Sequence, residues 1–178
     1  IERMMKLLRK FAPKFLMSSY HLSWAVLGAI LYGFPARKMT VIGVTGTDGK
    51  STTTEMITRI FKEAGFKTCS TSSVWFQIGD HKWKNTLKMG MPGRMFLQKF
   101  LRQAHKEGRT HAVIEVSSEG ILQNRHRFLN FHTAVITNLS PEHIERHGSF
   151  ENYRAEKQKL FRATKKVHVL NIDDENAQ

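Results

Sequence analysis

The chain has 178 residues, 40% hydrophobic and 24% charged, which excludes a disordered polypeptide and allows one domain plus an attached segment. Its single cysteine, Cys69, excludes an internal disulfide framework and favours a reducing compartment; any metal must take oxygen or histidine ligands. The formal charge of +13 asks for an anionic partner: nucleic acid, an anionic membrane surface or phosphate-bearing substrates.

That charge is uneven along the chain. Residues 1–38 carry Arg3, Lys6, Arg9, Lys10, Lys14, Arg37 and Lys38 against Glu2 alone, a net +6. Met4, Met5, Leu7, Leu8 and Phe11, interleaved with Lys6, Arg9 and Lys10, predict a short basic amphipathic helix stopped by Pro13. An apolar run from Leu22 to Phe34 follows, ended by Pro35. A spanning helix needs roughly 20 apolar residues, so this run is too short to cross a bilayer. It also lacks a small-residue cleavage site, which argues against a signal peptide. A helix packed on the following domain is expected here, with peripheral attachment to a membrane surface as the alternative.

From Met39 the pattern alternates between strand and helix. Met39 to Val44 predicts a buried strand, Lys50 to Ala64 a helix ended by Gly65, and Lys67 to Ser70 a second strand. Residues 74–92 are mixed, with short strand or loop pieces around Trp75 and Trp83. A helix over Gly93 to Glu107 places Phe96, Leu97, Phe100 and Leu101 on one face. His111 to Val116 and His132 to Thr137 predict strands, Phe150 to Thr164 a helix, and Val167 to Ile172 a last strand. The alternation implies an α/β fold, a mostly parallel sheet with helices on both faces.

The strongest local signal is Gly43-Val-Thr-Gly-Thr-Asp-Gly-Lys-Ser51, between a strand and a helix. There backbone N–H groups and a helix N-terminus can face phosphate oxygens. Lys50 would neutralise the β- and γ-phosphates and the Ser51 hydroxyl would ligate Mg²⁺. Val44 stands where the usual phosphate loop has its first glycine. Glu115 closes an apolar strand at the sheet end where ligands of α/β folds bind, and a carboxylate there suits Mg²⁺. On its helix Lys157 falls between Leu160 and Phe161 and near Tyr153, inside the apolar stripe. Burial there would lower its pKa; a lysine snorkelling from a partly buried face is the other reading.

Several segments, in the same order, resemble the Mur ligase family. Gly43 to Thr53 is similar to its phosphate loop, G-x-x-G-T-N-G-K-[ST]-T-T, with Asp48 at the asparagine. Glu115-Val-Ser-Ser-Glu-Gly-Ile-Leu-Gln-Asn-Arg125 resembles the E-V-S-S-H-G-L-x-Q-x-R segment of the tripeptide synthetases in that family, with Glu119 at the histidine. Thr137-Asn-Leu-Ser-Pro-Glu-His143, with Glu142 at an aspartate, leads to His147-Gly148 and then to Tyr153-Arg-Ala-Glu-Lys157. Together these resemble T-N-L-x-x-D-H, H-G and Y-x-x-A-K. Of the family's Thr-Thr-Pro segment only Gly90-Met91-Pro92 appears.

The resemblance implies an ATP-dependent ligase that activates a UDP-muramoyl-peptide carboxylate as an acyl phosphate for attack by an amino acid amine. It implies nucleotide contacts from Thr45, Gly46, Thr47, Asp48, Gly49, Lys50, Ser51, Thr52 and Asn138. Two Mg²⁺ ions would be held by Ser51, Glu115, His143 and a carbamylated Lys157, with Lys50, Lys157 and His143 as the catalytic set. Ser117, Gln123 and Arg125 would bind the acceptor. Residues 1–38 are then an N-terminal helical segment and 39–178 the central ATP-binding domain, cut short before the family's last domain. A cytoplasmic place is expected, at the inner membrane face if the N-terminal segment touches lipid. Another ligase of the family, of the folylpolyglutamate or cyanophycin type, and a non-catalytic nucleotide-binding module are the alternatives. Nucleic acid is not expected as a partner, because no recognition motif accompanies the charge.

Overall fold

The structure is a computed structural model and describes residues 14–87, 89–142, 144–164 and 166–176. The basic helix expected before Pro13 lies outside the described residues. Helix α1 (Lys14–Leu31) starts well before the apolar run that predicted it, and a 3-10 turn at Pro35–Lys38 leads into strand β1 (Thr40–Thr45). Then come α2 (Lys50–Glu63), β2 (Thr68–Thr71), β3 (Trp75–Ile78), β4 (His81–Lys84), α3 (Arg94–Lys106) and β5 (His111–Glu115). The chain continues through α4 (Ser118–Leu122), β6 (Phe131–Ile136), α5 (Ile144–His147), α6 (Phe150–Ala163) and β7 (Val167–Val169).

One seven-stranded sheet in the order β4-β3-β2-β5-β1-β6-β7 carries these elements. Its β2, β5, β1, β6 and β7 run parallel, while β3 and β4 form an antiparallel edge. The β3–β4 hairpin resolves the mixed segment 74–92, where His81-Lys-Trp-Lys84 alternates too weakly for sequence to settle a strand. The last strand is shorter than expected. It ends at Val169, and the following Leu170 and Ile172 are exposed, so their apolar character reports no burial.

Side chains alternate across β1 and β5 as the period of a strand requires. Val41, Ala112 and Ile114 face a core shared with Leu97, Phe100 and Leu101 of α3 and Leu160 of α6. Ile42, Val44 and Val113 face Ile57 and Phe61 of α2. Helices thus cover both faces, as expected. Val44, the residue at the missing glycine of the phosphate loop, belongs to this second core. Gly43 is a packing position: a Cβ there would stand 2.8 Å from Cε1 of Phe131.

Helix α1 packs on α3 through small residues. Ala25 and Ala29 are buried, and a Cβ on Gly28 would stand 3.0 Å from Met95 Sδ. The expected helix on the following domain is therefore present.

Candidate active site

Three parallel strands, β5, β1 and β6, deliver the site at their carboxyl ends, where the backbone leaves the sheet and ligands of open α/β sheets bind. Gly46 turns the chain out of β1 at φ 147°, and a Cβ there would meet Thr137 Oγ1 at 1.9 Å. Only glycine fits that approach. The loop is then tied down from β6: Thr47 N–H donates to the Asn138 carbonyl, Asp48 N–H to Asn138 Oδ1 at 2.8 Å, and Thr137 Oγ1 to the Asp48 carbonyl at 2.6 Å. The buried Thr47 hydroxyl lies 3.2 Å from the Tyr153 hydroxyl on α6. Asn138 thus acts here as a clamp on the loop backbone. Gly49 caps α2, Lys50 and Ser51 open it, and Thr52 is exposed beside them. The Lys50 ammonium donates to the Thr47 carbonyl across the loop.

On one side of the loop, Ser51 Oγ donates to Glu115 Oε2 at 2.6 Å. The same oxygen accepts from Ser73 N–H at 2.8 Å, and the Ser51 and Ser73 hydroxyls are 2.7 Å apart. Glu115 is buried. Sequence reasoning missed Ser73, because its part is played by backbone N–H and position after β2, neither of which a motif reveals. Two hydroxyls and a carboxylate form the hard oxygen donor set that Mg²⁺ takes, commonly with one or two carboxylates plus substrate phosphates. Among the described residues no three His, Cys, Asp or Glu side chains gather into a metal cage. His143 lies outside the described residues.

On the other side, Lys157 is buried on α6. Its Nζ donates to the Gly46 carbonyl at 2.6 Å and sits 4.6 Å above the Tyr153 ring. Burial first, and the Lys50 cation second, lower its pKa to about 7, with Glu142 acting in the opposite direction. The buried position expected from the helical stripe is observed, and a partly buried snorkelling lysine is not.

The three acceptor candidates converge beside the Gly90-Met91-Pro92 segment, whose Gly90 lies close enough that a Cβ would meet Glu115 Oε1 at 2.6 Å. Arg125 donates to the Met91 carbonyl and to Gln123 Oε1 at 2.8 Å. Arg94, at the start of α3, donates to the Gln123 carbonyl at 2.7 Å and to His21 of α1 at 2.8 Å. Burial lowers the pKa of both guanidinium groups, and Arg125 lowers that of Arg94 further. No carboxylate among the described residues pairs with either. Ser117 has a second duty as cap of α4, its Oγ accepting from Gly120 N–H at 3.1 Å. Glu119 forms an ion pair with Arg146 on α5, which gives the glutamate at the family's histidine position a partner of its own.

A loop opening a helix at the carboxyl ends of parallel strands, with a carboxylate and hydroxyls on one side of it, is the layout of a phosphate-loop α/β domain. The family model of the Mur ligase middle domain matches residues 44–178, and the chain belongs to that family. It is 34% identical over 176 residues to the UDP-N-acetylmuramyl-tripeptide synthetase of Roseiflexus sp. (strain RS-1), covering 91% of this chain and 35% of the relative. It is 39% identical over 137 residues to that of Treponema pallidum (strain Nichols), covering 76% and 25%. Among solved structures, a UDP-N-acetylmuramoyl-L-alanyl-D-glutamate–2,6-diaminopimelate ligase aligns with a TM-score of 0.70 at 30% identity, over 78% of this chain and 28% of the other. A Mycobacterium tuberculosis folylpolyglutamate synthase shares the fold at a TM-score of 0.62 and 18% identity, over 78% and 38%. The chain spans about a third of the length of the curated relatives it matches.

Proposed function

We propose that residues 39–178 are the central ATP-binding domain of a carboxylate–amine ligase of peptidoglycan precursor synthesis, with residues 1–38 as an attached segment. The observation that carries this reading is the convergence of three groups around one phosphate loop: Lys50, the Ser51–Glu115 pair and the buried Lys157. In the reaction, a carboxylate oxygen of a UDP-muramoyl-peptide attacks the γ-phosphorus of ATP and ADP leaves. An amino acid amine then attacks the acyl carbon, phosphate departs with the C–O electron pair, and the amine proton is lost as the amide forms.

In this reading the loop from Thr45 to Thr52 and Asn138 cradle the phosphates, and Lys50 offsets charge developing on the transferred group. Ser51, Glu115, His143 and Lys157 would hold Mg²⁺, two ions in all, which polarise the phosphoryl oxygens when bound. The lowered pKa of Lys157 supports its modification, since the neutral amine adds CO₂ and releases a proton to give a carbamate. Arg125 and Gln123 would take an anionic group of the acceptor, with Ser117 beside them. The enzyme works in the cytoplasm, and its N-terminal segment rests on the inner face of the membrane.

Calorimetric titration with Mg-ATP tests the reading. The wild-type chain should bind and Lys50→Ala should abolish binding; an unchanged affinity in the variant would overturn the assignment of the loop. Titration with UDP-N-acetylmuramoyl-L-alanyl-D-glutamate tests the acceptor side, where Arg125→Ala should weaken binding by about tenfold or more. Carbamylation is read separately: ¹³C-bicarbonate should give a carbamate resonance that Lys157→Ala removes.

A further inference from the structure

Helix α1 meets the molecule with its smallest residues and turns its largest apolar ones outward. The buried face is Ala25 and Ala29, with Gly28 against Met95. Leu16, Tyr20, Trp24, Leu27, Ile30 and Leu31 are instead between 39% and 62% exposed. At 3.6 residues per turn these six fall within one arc of about 120°, while Leu22, 40% exposed, lies outside it. An amphipathic helix ordinarily aims such a stripe at the core. A contiguous apolar surface left open marks an interaction site.

The surrounding charge selects the occupant. In the sequence, α1 follows Arg3, Lys6, Arg9 and Lys10 and precedes Arg37 and Lys38. A second copy would bring +13 against +13 and be repelled. An anionic surface would be attracted, each Lys or Arg near it strengthening binding by about fivefold. Tyr20 and Trp24 sit inside the stripe, and such amphipathic rings settle at the headgroup level of a bilayer. No helix among the described residues is long and apolar enough to cross a membrane, so the helix would lie in the interface plane.

We infer that the outward stripe of α1 is a membrane-docking surface, inserted among the headgroups of an anionic bilayer to which the chain's net positive charge draws it. This deepens the membrane contact proposed above and rests on it, while depending on no step of the ligase reaction. Helix α1 also gives His21 to Arg94 and the Ser18 carbonyl to Asn124, so lipid contact would be coupled to the hydrogen bonds that join Arg94, Gln123 and Arg125.

The test is co-sedimentation of the 178-residue chain with vesicles of phosphatidylcholine and phosphatidylglycerol in equal parts, against phosphatidylcholine alone, at low salt. Binding to the anionic vesicles, its release at high salt, and a loss of about tenfold or more in Leu27→Glu/Ile30→Glu are expected. Both side chains are exposed, so the double variant should keep its fold and its Mg-ATP affinity. No partition into anionic vesicles overturns the inference, as does equal partition of the double variant, which would leave the stripe without a role. A dimer that the double variant disperses would assign the stripe to a second copy instead and equally overturn it. Nucleotide titration of the same samples keeps the two questions apart, since a chain that binds Mg-ATP and ignores vesicles refutes the docking surface alone.

Discussion

The Lys157 ammonium lies 2.6 Å from the Gly46 carbonyl, so a buried cation rests on the first turn of the phosphate loop, and among the described residues its hydrogen-bond acceptors are neutral oxygens. Its pKa is lowered from 10.5 to about 7, mainly by burial. Below pH 7 the lysine is charged in both folded and unfolded chains, and the folded state carries the whole cost of burying it. Between about 7 and 10.5 the unfolded chain holds more protons, so stability rises with pH through that window.

Lys157→Met should therefore gain stability relative to wild type below pH 7, by an amount on the order of a few kcal/mol before the lost hydrogen bond is counted. The advantage should shrink steadily toward pH 10.5. Urea unfolding at pH 6, 8 and 10 measures it. A difference between variant and wild type that is constant across these pH values would contradict a burial-lowered pKa.

Gly46→Ala should be among the most damaging single changes in the chain. The added Cβ would stand 1.9 Å from Thr137 Oγ1, at a backbone angle that L residues rarely adopt. Because that hydroxyl also anchors the Asp48 carbonyl, the loop cannot yield without losing its tie to β6. A loss of about 2 kcal/mol or more is expected, together with loss of nucleotide binding. Gly46→Ala/Thr137→Ala should recover part of the stability, since it removes the collision and leaves the backbone strain. Thermal unfolding of the two variants separates these contributions.

Much of this site was legible in the sequence because its signals are local. An apolar strand, a glycine-bearing turn and Gly-Lys-Ser in succession specify the phosphate loop without tertiary information. Lys157 betrayed its burial by falling inside the apolar stripe of α6. The β3–β4 edge was only half legible: the pieces around Trp75 and Trp83 read equally as strand or loop, and His81-Lys-Trp-Lys84 becomes a strand through pairing with β3. Helix α4 is only five residues long, too short for periodicity to register. The apolar Leu170 and Ile172 misled in the opposite direction, suggesting a buried strand where the chain is exposed. The outward stripe of α1 was hidden for a similar reason: composition reports an apolar helix but not which face its neighbours cover.

The Glu119–Arg146 pair predicts a compensated exchange. Both side chains are about half exposed, at 48% and 60%, so the pair is worth only about 0.2–1 kcal/mol. Its larger effect should be on the position of α5, which follows directly on the Glu142–His143 segment. Glu119→Arg should weaken Mg-ATP binding through repulsion of Arg146, and Glu119→Arg/Arg146→Glu should restore it. A double-mutant cycle on nucleotide affinity, run at low and high salt, gives the coupling. Additive effects at both salt concentrations would mean that the pair holds nothing in place.

Glu115→Gln discriminates between a metal role and a purely structural one. The carboxylate accepts from Ser51 Oγ at 2.6 Å and Ser73 N–H at 2.8 Å, and it is buried beneath Gly90. Glutamine keeps the shape and one oxygen acceptor, so the hydrogen bonds can survive by a flip of the amide while the negative charge is lost. If Glu115 serves only to tie Ser51 and Ser73 together, nucleotide affinity should change little, with or without Mg²⁺. A carboxylate needed for a hard divalent cation should behave differently. Affinity in the presence of Mg²⁺ should fall by about tenfold or more, whereas affinity measured in EDTA should stay near wild type or rise, because a negative charge beside the phosphates has been removed. Titrations of wild type and Glu115→Gln under both conditions decide between these outcomes, and an equal loss in both would point to a collapsed loop in place of a missing metal ligand.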